Sequence, residues 1–183
     1  MKDSFYIAPM VCFCDIPLGG VKVHLQRYGD YGIGIHKNFC ESKNINPVFY
    51  IHSHSAFNFI LPKPLVKFAS VIPYVKRYRG EDLKRKDEVR FYNEREWRYV
   101  EKDEVRMLRE NRDSVKNICF VLNQKYNKYL RFALNAIEYI IVGRKVELIQ
   151  MVNFIEKSIE ANEQEKKILY TKIIYATRIK NDF

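Results

Sequence analysis

The stretch Arg90-Phe-Tyr-Asn-Glu94-Arg-Glu96-Trp-Arg-Tyr-Val100 constrains the fold most, because its aromatic and β-branched residues favour a pleated strand. Side chains in a strand alternate faces, so Glu94 and Glu96 are expected to point together, roughly 7 Å apart, while Arg95 and Trp97 point the other way. If the Trp97 face meets the core, the carboxylates look outward or into a cleft. Carboxylates paired in this way suit acid/base work or the steadying of a developing cation. The alternative is an edge strand whose solvated glutamates pair with neighbouring arginines.

Short elements of both types surround that strand. Pro9 to Cys14 reads as a short buried strand, and Asp15 can cap a helix with Pro17 in its first turn, running through Val21, Val23 and Leu25 towards Tyr28. Gly19 and Gly20 weaken that helix. The chain then turns at Gly29-Asp30 into a strand ending at Ile35, where Gly32 and Gly34 share a face and leave room for a ligand or another backbone. Asn46-Pro47 starts a strand that runs to Ile51. Leu65, Phe68, Ala69, Ile72 and Val75 recur at helical spacing, interrupted by Pro73.

Further along, Ile118 to Leu122 reads as an apolar strand and Tyr126 to Ala136 as a helix. Glu138 to Val142 is a buried strand, Gly143 a turn, and an amphipathic helix follows to about Asn162. Lys167 to Ala176 closes the pattern as a β-rich stretch. The sum is an α+β fold with a mixed or antiparallel central sheet flanked by helices, spanning residues 1–183 as a single domain.

Composition narrows the chemistry. No apolar run approaches the roughly 20 residues that cross a bilayer, and Met1 to Ile7 lacks the apolar stretch of a secretory signal. A cytoplasmic location and no membrane partner are therefore expected. The four cysteines, Cys12, Cys14, Cys40 and Cys119, lack the paired spacing of a zinc site, and His52 and His54 have no further ligand at suitable spacing, so no metal is predicted. The chain carries a net charge of +10, and its lysines and arginines cluster in Lys76-Arg77-Tyr-Arg79 and Lys84-Arg85-Lys86. These residues are candidates for a positive rim that draws nucleic-acid phosphates, or for a solvated loop, since Glu81, Asp82, Asp87 and Glu88 interrupt the run.

In order and spacing, Pro9–Leu18, His24–Tyr28, Tyr28–Ile35, Asn46–Ile51 and Phe91–Arg98 resemble the AbiGi family of bacterial abortive-infection proteins. The resemblance covers most of the chain. It implies a role in phage defence and, because the family is described as the antitoxin half of a phage-resistance pair, a cognate toxin or antitoxin partner from the same operon.

More distantly, Glu94-Arg-Glu96 resembles the glutamate motif of DarT-like ADP-ribosyltransferases. That resemblance implies an ADP-ribosyltransferase-like fold with NAD as substrate and with a nucleic acid or protein as acceptor. Glu96 would hold the nicotinamide-side ribose and steady the oxocarbenium-like transition state, and Glu94 would position or deprotonate the acceptor. Tyr28 and Tyr31 would stack on nicotinamide, and Asp15 with His24 would line the pocket. The chain departs from that pattern by opening almost directly at Phe5–Met10, without a His-Phe-Thr-like strand. Either its start is shortened or the element is lost, and its loss would put NAD binding in question. Two functions are thus expected to compete: transfer of ADP-ribose from NAD, and non-catalytic binding of a partner toxin or DNA.

Overall fold

The computed structural model describes residues 3–55, 71–81, 86–101, 106–110, 112–125 and 129–182. These divide into two compact units, one of residues 1–15 and 44–130, the other of residues 16–43 and 131–183.

The first unit is built from small sheets. Strands β1 (Asp3–Ile7) and β2 (Met10–Cys14) open the chain. Next come β4 (Asn46–Pro47), β5 (Phe49–Ile51), β6 (Val75–Arg77), β7 (Gly80–Glu81), β8 (Glu88–Val89), β9 (Glu96–Val100) and β10 (Arg106–Glu110). The strand β9 lies between β2 and β4, antiparallel to both, β5 and β6 pair in parallel, and β1 pairs with β10. One helix, α3 (Arg112–Lys125), follows β10. Its buried Val115 and half-buried Ile118, Cys119 and Leu122 recur at helical spacing. That period overrides the local β-branched composition that made Ile118–Leu122 read as a strand.

The second unit is a mixed three-stranded sheet with helices packed on it. Its strand β11 (Ile137–Val142) runs antiparallel to β3 (Gly32–Ile35) and parallel to β12 (Ile173–Tyr175). The helices are α1 (Lys22–Tyr28), α2 (Lys37–Ser42), α4 (Glu147–Ser158), α5 (Glu163–Thr171) and α6 (Ala176–Asp182). One core gathers Val21 and Leu25 with Ala176 and Ile179, and a second gathers Ile137 and Ile140 with Ile155 and Leu169.

The α+β class therefore stands, but in place of one central sheet the described residues form five small ones. Other expectations shift locally. The strand β2 is exposed over Met10–Cys12 and only half-buried at Phe13 and Cys14, and the diglycine splits the helix after Asp15 into a 3-10 turn at Leu18–Gly20 and α1. Around Pro73, residues 72–74 form a 3-10 turn and Val75 opens a strand, while Leu65, Phe68 and Ala69 lie outside the described residues. Within Tyr126–Ala136, only Leu134–Ala136 is helical among the described residues, as a 3-10 turn. The amphipathic helix ends at Ser158, and Asn162 starts the next: its side chain accepts from the Glu165 N–H at 2.9 Å while Glu165 accepts from the Asn162 N–H at 3.0 Å. The segment Lys167–Ala176 is thus mainly helical, with β12 at its end.

The room expected beside Gly34 is already taken. Tyr139 lies opposite Gly34 in the β3–β11 register, and a Cβ on Gly34 would stand 2.6 Å from the Tyr139 ring.

Candidate functional site

Glu94 and Glu96 do converge, by a backbone route other than a continuous strand. Residues Phe91–Glu94 form a 3-10 turn, held by the Asn93 N–H to the Arg90 carbonyl at 3.0 Å and the Arg95 N–H to the Tyr92 carbonyl at 3.1 Å. Arg95 then adopts a left-handed conformation, φ 44°, and β9 begins only at Glu96. The left-handed residue reverses the alternation and returns both carboxylates to one side.

Both are buried, Glu94 at 8% and Glu96 at 7% exposure, whereas Trp97 is only half-buried. The glutamates therefore face inward. Two buried carboxylates need counter-charge, and Lys76 on β6 supplies it: its Nζ lies 2.5 Å from Glu94 Oε2 and 2.7 Å from Glu96 Oε2. Arg98, two residues along β9 and so on the same face, donates through Nε to Glu96 Oε1 at 2.7 Å and through Nη2 to Oε2 at 3.2 Å. Its Nη1 donates to the Pro73 carbonyl. The Glu96 N–H donates to the Tyr50 hydroxyl at 2.8 Å, and the Phe91 ring lies 4.9 Å from the Lys76 ammonium.

These contacts set the titration behaviour. Burial by itself would raise the Glu96 carboxyl, but hydrogen bonds from Arg98, Lys76 and Cys12 outweigh it and hold the group at about 2. Burial likewise disfavours the Lys76 and Arg98 cations, and their carboxylate partners raise both in spite of it. Cys12 stands opposite Arg98 in the β2–β9 register. Although the residue is exposed as a whole, burial of its thiol and the adjoining Glu96 carboxylate push it up to about 11. Two acids and two bases thus close a network of zero formal charge. The Arg98 pairing follows from its two-residue spacing from Glu96 on one strand face, and Lys76 opens the basic cluster expected beside the carboxylates; that its ammonium reaches both acids depends on a contact twenty residues away, which no local pattern encodes.

The other candidate residues are placed as follows. Asp15 belongs to the first unit, where its N–H donates to the Arg95 carbonyl at 3.0 Å. His24, Tyr28 and Tyr31 belong to the second. There Tyr28 packs on His24, with ring centroids 4.4 Å apart, and the Tyr31 hydroxyl bonds to Glu147, which raises the phenol. Glu147 also accepts from the Gly143 and Arg144 N–H groups at 3.0 and 3.3 Å.

Among the basic residues, Arg77 alternates with Lys76 along β6 and so points to the opposite face. Arg79 is exposed, 3.9 Å from Glu88, and Lys86 is exposed, 3.8 Å from Glu81. Lys84 and Arg85 lie outside the described residues. Among the described residues no group of three or more His, Cys, Asp or Glu side chains is placed to hold a metal ion, and no helix is long and apolar enough to cross a membrane.

The profile of the AbiGi family, described as a proposed abortive phage resistance protein of the antitoxin class, matches residues 4–61 and 53–143. An abortive phage resistance protein AbiGi from Lactococcus lactis subsp. cremoris is 29% identical over 227 aligned positions, covering 98% of this chain and 90% of that protein. No solved structure matches.

Proposed function

We propose that this chain, which belongs to the AbiGi family of abortive phage resistance proteins, is the antitoxin of a toxin–antitoxin pair and acts by holding a partner toxin protein, without turnover. The closed network around Glu96 carries this reading. A carboxylate that steadies a ribosyl cation needs acceptor capacity turned to its substrate, and one that moves a proton near neutral pH needs a pKa close to it. Both Glu96 oxygens instead accept bonds from Arg98, and Oε2 accepts a further one from Lys76. The carboxyl, held at about 2, is also a poor proton acceptor. These features suit a structural clamp that fixes the 3-10 turn to β6.

The competing reading, an ADP-ribosyltransferase-like fold that transfers ADP-ribose from NAD to a nucleic acid or protein, would require Lys76 or Arg98 to yield to the ribose. Co-expression with the protein of the neighbouring gene separates the two. The binding reading expects a complex that survives size-exclusion chromatography, rescue of growth from that protein's toxicity, and no loss of rescue in a Glu96→Gln variant that remains folded. It is abandoned if no complex forms and the purified chain consumes NAD in a manner that Glu96→Gln abolishes.

A further inference from the structure

The face of the β5–β6 pair that carries Lys76 bears a second cluster, which adjoins the carboxylate network through Tyr50. Tyr50 lies beside Lys76 in the parallel register. The Tyr92 ring meets Tyr50 edge-on at 5.5 Å and lies 5.5 Å from Tyr78 at a 30° tilt. Tyr78 in turn lies 5.8 Å from His52. The Arg90 guanidinium sits 5.0 Å from the Tyr78 ring and 5.7 Å from the Tyr92 ring, and donates to the Tyr78 hydroxyl.

Tyr50 and Tyr78 are half-buried, but a packing role would not leave Tyr92 48% exposed and His52 and Arg90 exposed as well. Among the described residues Arg90 has no carboxylate partner, while Glu94 and Glu96 are taken by Lys76 and Arg98. The Arg90 guanidinium therefore stands over a row of π-faces, on a chain of net charge +10.

We infer that this Arg90–Tyr92–Tyr78–His52 face binds single-stranded nucleic acid, with unpaired bases stacking on Tyr92 and His52 and a phosphate held by Arg90. Aromatic platforms beside a cation suit bases that are free of a duplex, whose faces would otherwise be covered by their neighbours. A protein hot spot is surrounded by contacts that exclude water. Here the residues adjoining Tyr78 and Tyr92 in the chain include the exposed polar Arg79 and Asn93. The inference goes beyond the toxin-binding proposal and stands or falls independently of it.

Fluorescence anisotropy tests it with the full chain and labelled oligonucleotides of roughly a dozen nucleotides. Single-stranded RNA fills one arm, single-stranded DNA a second and a duplex a third, with thermal melts confirming that each variant is folded. Either single strand is expected to bind more tightly than the duplex, and the tighter arm identifies the source. Tyr92→Ala should weaken binding roughly 5- to 100-fold and Tyr92→Phe should retain it, since the ring and not the hydroxyl stacks. Arg90→Ala should weaken binding and reduce the salt slope by about 1. No binding, equal binding of the duplex, or full affinity in folded Tyr92→Ala overturns the inference. So does the converse pattern, in which Arg90→Ala and Tyr92→Ala disrupt the complex with the neighbouring gene's protein and leave oligonucleotide binding untouched, which would assign the face to a protein partner.

Discussion

Lys76 and Glu96 are twenty residues apart in the chain, yet the ammonium lies 2.7 Å from the carboxylate, and the same nitrogen reaches Glu94. Removing the cation while keeping its bulk, in Lys76→Met, leaves two buried acids to share Arg98. The expected cost is about 3 to 5 kcal/mol, the range for breaking a buried ion pair from one side. Urea unfolding measures it, and a loss below about 1 kcal/mol would show that the network does not form.

The acid limb of the stability curve should report the same network. Glu96 has a folded value of about 2 against an ordinary 4.5, so the unfolded chain binds the proton more readily. Its contribution is complete above about pH 5 and is lost as pH falls towards 2, and amounts to no more than about 3 kcal/mol. Glu96→Gln should flatten stability against pH across that window, as read by denaturant midpoints at successive pH values.

Arg95 distinguishes a turn from a strand directly. Its left-handed backbone disfavours a β-branched side chain, so Arg95→Val should cost about 1 to 2 kcal/mol and Arg95→Gly should be tolerated. A continuous strand through Glu94–Glu96 would give the opposite order in thermal melts.

Gly34 must stay small. With a Cβ only 2.6 Å from the Tyr139 ring, Gly34→Ala should destabilise by about 1 to 3 kcal/mol. The double variant with Tyr139→Ala should recover part of that loss, a coupling that a double-mutant cycle reads out.

Cys12 offers a chemical probe. Its thiol, raised to about 11, should label slowly with iodoacetamide at pH 8. Glu96→Gln removes the negative charge that adds to the effect of burial and should speed labelling at this position, as followed by peptide mass spectrometry.

The carboxylate pair was legible because Glu94 and Glu96 are acids two positions apart in an otherwise aromatic stretch. The backbone between them was not, since a spacing of two matches a strand and a left-handed residue leaves no mark when the residue is arginine. The glycine-punctuated strand, its turn at Gly29 and the strand of Glu138–Val142 were read correctly, because glycine and long apolar runs act locally. Helix α3 was missed where Ile118–Leu122, taken alone, satisfied the strand pattern, and the helical period emerges only once Val115 is counted with them. Lys76 and Arg90 owe their roles to contacts with Glu96 and Tyr78 that are distant in sequence, which a reading along the chain does not reach.

Neither unit is a continuous piece of polypeptide: the chain leaves the first after Asp15, returns at Asn44, and leaves again after Leu130. During synthesis the segment Ile16–Lys43 emerges long before Arg131–Phe183, which carries the strands β11 and β12 that its β3 must join. A chain that ends before Ile137 therefore leaves β3 without the β11 strand it pairs with. No single cut yields either half intact, and any attempt to isolate one must splice its separated segments together.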